Sequence, residues 1–162
     1  MNRVPAIMAL GVCAILFLLA VTERAGSGIR MEDFEQATVS AEGFEIRLTS
    51  GCRALSLMAT PWQIDSIKSG LSGNTPFRPG SHDLMADVIN GLGGKVKMAL
   101  VEDLQEDTYY ARLVVSSGGR TANLDARPSD AIAIAVRTGA PVYVKKGLMQ
   151  KYGENVCRMP AA

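Results

Sequence analysis

The run LDARPSDAIAIAVRTGAPVYV, residues 124–144, crowds Asp125, Arg127, Ser129 and Asp130 into six positions ahead of an apolar helical pattern. A second run, FRPGSHDLM at residues 77–85, sets Arg78, Pro79, Ser81, His82 and Asp83 before another such pattern. A helix N-terminus carries unpaired N–H donors and a partial positive charge. Serine and aspartate there can simply be caps, each contributing about 0.5–2 kcal/mol. Capping needs no guanidinium, however. Either Asp125 and Arg127 form a structural ion pair, or Arg78 and Arg127 await an anion such as phosphate, which suits a helix N-terminus flanked by bidentate arginine. Asp83, Asp125 and Asp130 are then the available ligands for Mg²⁺ or Mn²⁺, Ser129 a further phosphate donor, and His82, the only histidine, the available general base. A third reading has these aspartates and arginines buried in ion pairs that hold the helices in place.

The surrounding pattern predicts what positions them. ATVSAEGFEIRLTS alternates about Glu42-Gly43 as a hairpin, and ALSLM is a short strand. A helix starts at Thr60, with Pro61 at its first position, Gln63 where a capping box wants Glu or Gln, and Ile64, Ile67 and Leu71 on one face. Ser81 opens a second helix with an expected buried stripe of Leu84, Met85, Val88, Ile89 and Leu92. Three hairpin-linked strands follow: KVKMALVED, YYARLVVSS and TANLDA. The helix after Pro128 carries Ala, Ile and Val nearly all round, which predicts a sandwiched position. APVYV is the last strand, and the tail GENVCRMPAA shows no clear structure. The expectation is a single α+β domain, an antiparallel or mixed β-sheet with packed helices, preceded by an N-terminal hydrophobic helix. Its boundaries are an anchor or signal segment over 1–21, a linker over 22–36, the domain over 37–152 and a tail over 153–162.

Arg3 precedes an apolar run from Val4 to Val21, long enough to span a membrane and long for a secretory segment. The reading is an uncleaved anchor with the domain outside the cytoplasm; the alternative is a cleaved signal and a secreted protein. Cys52 and Cys157 could pair in an exported domain, closing a loop that contributes about 4–5 kcal/mol in the chain-entropy model, or be two unrelated thiols. With no CxxC and no Cys/His cluster, a structural zinc site is not expected. Net charge is +1. That argues against binding nucleic acid through an overall basic field, although Arg120–Lys151 holds six basic residues against Asp125 and Asp130.

The segments Arg78 to Leu84, Tyr109 to Leu113 and Asp125 to Ala135, in this order, closely resemble the R-P-x-[ST]-H-D-L, (F/Y)-x-A-R-L and D-x-R-P-S-D-A-I-A-[IL]-A motifs of the bifunctional nuclease family, over roughly residues 53–147. The resemblance implies a compact α+β domain that can self-associate into a homo-oligomer, with the DNase and RNase activity reported for some members. His82, Asp83, Asp125, Arg127, Ser129 and Asp130 are the positions that match its motifs. The chain departs from the family twice. Gln63 stands where members usually have the glutamate of an E-A-x-A-I segment, and the apolar N-terminal run is unusual for a family of soluble intracellular proteins. The function expected is therefore metal-assisted phosphodiester hydrolysis of DNA or RNA by a membrane-tethered domain. The alternative is a non-catalytic anchored module that binds an anionic ligand or a partner protein.

Overall fold

The computed structural model describes residues 28–74 and 77–157, and its elements run from Met31 to Asn155. The expected anchor over 1–21 lies outside the described residues. Among those residues no helix is long and apolar enough to cross a membrane.

A short 3₁₀ turn, Met31–Asp33, leads into β1 (Phe34–Glu42), β2 (Glu45–Ser50) and β3 (Arg53–Met58). Helices α1 (Pro61–Ser72) and α2 (Ser81–Gly91) follow, then β4 (Gly94–Gln105), β5 (Thr108–Ser117) and β6 (Arg120–Ala126). α3 (Pro128–Thr138), β7 (Val142–Lys145), α4 (Lys146–Tyr152) and β8 (Glu154–Asn155) complete the chain. The eight strands form one sheet in the order β6-β5-β4-β7-β1-β2-β3-β8. Every neighbouring pair is antiparallel except β4 with β7, which run parallel and have β5, β6 and α3 between them in the chain, so the sheet is mixed.

The hairpins form where turn chemistry allows. Gly43 turns β1 into β2 with φ 57°, and Gly118-Gly119 turn β5 into β6 with φ 56° and 76°, a region closed to most side chains. α3 is the central helix, as its composition predicts: Ala131, Ile132, Ala133, Ile134 and Ala135 are all buried against Ala99, Val101, Ala111 and Leu113 of the sheet. Its neighbour α1 buries Ile64 and Ile67 in the same core. The two helices approach closely at Gly70, where an added Cβ would lie 2.6 Å from Cγ2 of Val136.

Three expectations change. The stripe Leu84, Met85, Val88 and Leu92 is not buried; Leu92 is 76% exposed. α2 instead turns Ala86 inward and Ile89 partly inward, because the polar contacts of His82 and Asp83 described below fix its rotation. β1 starts at Phe34, inside the expected linker, where Phe34–Ala37 pair with Val142–Lys145. Within the domain, α4 packs Leu148 and Met149 into the core, and the start of the expected tail is ordered, with Glu154 and Asn155 of β8 pairing with β3. A disulfide between Cys52 and Cys157, Cα atoms 5.0 Å apart, closes that edge across 105 positions of sequence. The Val156 N–H donates to the Cys52 carbonyl at 2.9 Å beside it.

Candidate functional site

Thr60, Gly80 and Arg127 are the residues that precede α1, α2 and α3, and all three line one open groove of about 690 Å³. Three helix N-termini therefore converge on it. Each is shaped locally. Pro61 and Pro128 fit the first turn, where no N–H is needed. The Gln63 side-chain oxygen accepts from the Thr60 N–H at 2.8 Å, and an Asp83 oxygen accepts from the Gly80 N–H at 2.8 Å. Gln63 thus does the capping duty expected of it. Its Nε2 also donates to Oγ of Ser129 at 2.8 Å, linking α1 to α3. Ser129 is buried, so it supports the helix pair from within and does not line this groove.

Within the groove the side chains form a continuous chain. Ser66 Oγ lies 2.8 Å from His82 Nδ1, and His82 Nε2 lies 3.3 Å from Asp130 Oδ1. Arg127 grips Asp130 with Nε to Oδ2 at 2.7 Å and Nη2 to Oδ1 at 3.2 Å. That hydrogen bond and the carboxylate charge push the Arg127 guanidinium above its ordinary value. Arg127 is largely exposed and spends two of its five N–H donors on Asp130, leaving three for a ligand. Trp62, 83% exposed, and Met85 stand on the same groove.

The other site residues expected from sequence are placed differently. Asp83 turns away from the groove to Arg137, whose Nε donates to its Oδ1 at 2.6 Å; both side chains are largely buried. Arg137 also donates to the Ala133 carbonyl at 2.8 Å and to Ser66 Oγ at 3.0 Å, so one guanidinium ties α1, α2 and α3 together. Hydrogen bonding by Arg137, partly opposed by burial, and then by the Gly80 N–H holds the Asp83 carboxyl below the usual carboxylate range. Asp125 pairs with Arg112 in the β5–β6 register, and strand alternation aims it at the sheet face opposite Ala126. There it lines a separate hollow with Glu102, Asp103, Tyr110 and Asn123. The Asp125–Arg127 ion pair does not form; Arg127 takes Asp130. Arg78 is exposed and lines neither hollow.

The three aspartates do not fit a shared divalent ion. Both oxygens of Asp83 and both of Asp130 are taken by protein donors, and Asp125 faces elsewhere. Among the described residues no group of three or more His, Cys, Asp or Glu could hold a metal.

Ser66 and Arg137 were not singled out by sequence. Helical spacing offered a signal for both: Gln63, Ser66 and Gly70 share a face of α1, and Arg137 lies seven residues beyond Asp130 on α3.

The sequence model of the bifunctional nuclease domain matches residues 46–156, which span both helix mouths, the groove and the disulfide-closed edge up to β8. Two uncharacterized proteins of Mycobacterium tuberculosis, from strains CDC 1551 / Oshkosh and ATCC 25618 / H37Rv, are each 36% identical over 126 residues, 78% of this chain and 73% of their own length. Bifunctional nuclease 2 of Arabidopsis thaliana is 34% identical over 82 residues, which is 49% of this chain and 25% of the plant protein. A match of this extent, carrying both arginine-proline helix mouths, means that the chain belongs to the bifunctional nuclease domain family.

Proposed function

We propose that the groove binds the phosphodiester backbone of DNA or RNA and hydrolyses it. The observation that carries this reading is the convergence of three helix N-termini on one groove beside a guanidinium with donors to spare. Each N-terminus favours negative charge, and Arg127 adds a planar donor matched to phosphate oxygens. A near-neutral protein can hold a nucleic acid this way because the attraction is local. Trp62 at the groove supplies a ring on which an unpaired base can stack. Asp130 holds Arg127 at the mouth of α3 and fixes one edge of the His82 ring.

The Cys52–Cys157 disulfide supports placing the domain outside the cytoplasm, tethered by the apolar run over 4–21 or secreted.

The test is cleavage of single-stranded DNA, double-stranded DNA and RNA by the full-length chain, with Mg²⁺, with Mn²⁺ and with chelator. Arg127→Ala is expected to weaken apparent substrate binding roughly 10- to 100-fold, the worth of about one charged hydrogen bond. Cleavage indifferent to Arg127 would refute the site. A folded chain that binds oligonucleotide without cleaving it under any of these conditions would instead be an anion-binding module, a reading favoured by the arginine pairing of Asp83 and Asp130.

A further inference from the structure

We propose that Ser66 is a nucleophile, activated by His82 and Asp130, that attacks the phosphorus of a phosphodiester bound in the groove. The inference rests on the reading of the groove as a phosphodiester site, and it starts from the roles of four polar groups. Asp130, as a carboxylate, only accepts, so in the neutral imidazole the proton sits on Nε2, facing Oδ1 at 3.3 Å. Nδ1 is then an acceptor, 2.8 Å from Ser66 Oγ. Arg137 Nη2 already donates to that oxygen at 3.0 Å, so the hydroxyl's own proton is the one directed to Nδ1.

Both ring nitrogens of His82 are thereby committed to side chains. The histidine has no free edge with which to act on water directly. The proton within its reach is that of Ser66, a residue that lines the groove. The order is that of a nucleophile, a base and an orienting carboxylate within hydrogen-bonding reach of one another. Arg137 adds a fixed positive charge at the oxygen that would become an alkoxide.

The chemistry balances without a further reagent. Ser66 Oγ bonds to phosphorus while its proton passes to Nδ1. The bond from phosphorus to the leaving oxygen breaks, and that oxygen takes the proton from Nδ1 to depart as an alcohol. Water then attacks the serine phosphodiester, gives its proton to Nδ1 and releases Ser66, which recovers that proton. The net change is addition of one water across one P–O bond.

Ser69 and Ser72 lie on the same helix and provide an internal comparison. Their hydroxyls donate to the carbonyls of Asn74 and Ser69, at 2.8 and 3.0 Å, and no base faces them. The full-length chain is treated with diisopropyl fluorophosphate, whose phosphorus takes Oγ and loses fluoride, and the adducts are mapped by peptide mass spectrometry. Ser66 is expected to label about 100-fold faster than Ser69 or Ser72, the lower bound of what a positioned base contributes. His82→Gln should reduce its rate to theirs. An unlabelled Ser66 in the folded, unsubstituted chain overturns the proposal whatever the variants do. So does labelling at Ser66 that a folded His82→Gln protein retains in full. Labelling does not require nucleic acid: cleavage without labelling removes only the nucleophile, and labelling without cleavage removes only the phosphodiesterase reading.

Discussion

Asp83 was expected to act in catalysis, and its contacts assign it a structural duty that can be measured. Removing its carboxylate by Asp83→Ala takes away the acceptor for Gly80 and the counter-charge of Arg137, which is only 7% exposed. Breaking a buried pair from one side costs about 3–5 kcal/mol. The lower figure applies here because Arg137 keeps its bonds to Ala133 and Ser66. For a domain of this size a loss of about 3 kcal/mol lowers Tm by roughly 10–15 °C. Arg137→Met should cost less, about 2 kcal/mol, since Asp83 keeps the Gly80 N–H and some contact with water. The double variant should lose about 2 kcal/mol less than the sum of the two, a coupling within the range for contacting charges. The pH dependence has a definite sign. The folded carboxyl is held below its unfolded value, so its contribution is complete above about pH 4–5 and is lost as pH falls through the folded value. Urea melts of the four proteins of the cycle, at pH 7 and at decreasing pH below 5, provide the assay. Additive losses, or an Asp83→Ala variant within about 1 kcal/mol of its parent, would refute the reasoning and return Asp83 to the catalytic candidates.

Gly70→Ala should lower stability by about 1–3 kcal/mol in thermal melts, because its Cβ would press on Val136 and on the Arg137 stem at 3.1 Å. Reducing the Cys52–Cys157 bond should cost up to about 4–5 kcal/mol, read as a fall in Tm on adding reductant that a Cys52→Ser variant no longer shows. Gln63→Glu should leave Tm within about 3 °C of the parent, since glutamate accepts from Thr60 equally well and can accept from Ser129; a larger fall would mean that the donated bond to Ser129 is indispensable.

The helix mouths were legible because their signals are local. Pro61, Gln63 and Pro128 act where sequence places them, and the β1–β2 and β5–β6 hairpins turn at the glycines that mark them. The central place of α3 followed from its lack of a polar face. What failed depended on partners distant in sequence. An apolar stripe at Leu84, Met85, Val88 and Leu92 signals a helix, but periodicity does not say that the chain itself covers that stripe. Here Asp83–Arg137, 54 positions apart, and His82–Asp130, 48 apart, fix the rotation of α2 and leave the stripe outward. Asp125 and Arg127 are neighbours in sequence, yet the end of β6 lies between them and sends one to each side of the sheet. The start of the tail was illegible because its order comes from a disulfide and a two-residue pairing with β3, which composition does not announce.

The central claim is that a phosphodiester binds where three helices begin, and not in the hollow that holds Asp125. Amide chemical shifts of the full-length chain, followed during titration with a short single-stranded oligonucleotide in the presence of chelator, test it most directly. The account predicts shifts centred on Trp62, Ser81, His82, Ser129 and Asp130, with those of Arg112, Asn123 and Asp125 unmoved. Shifts confined to the Asp125 side of the sheet would contradict it.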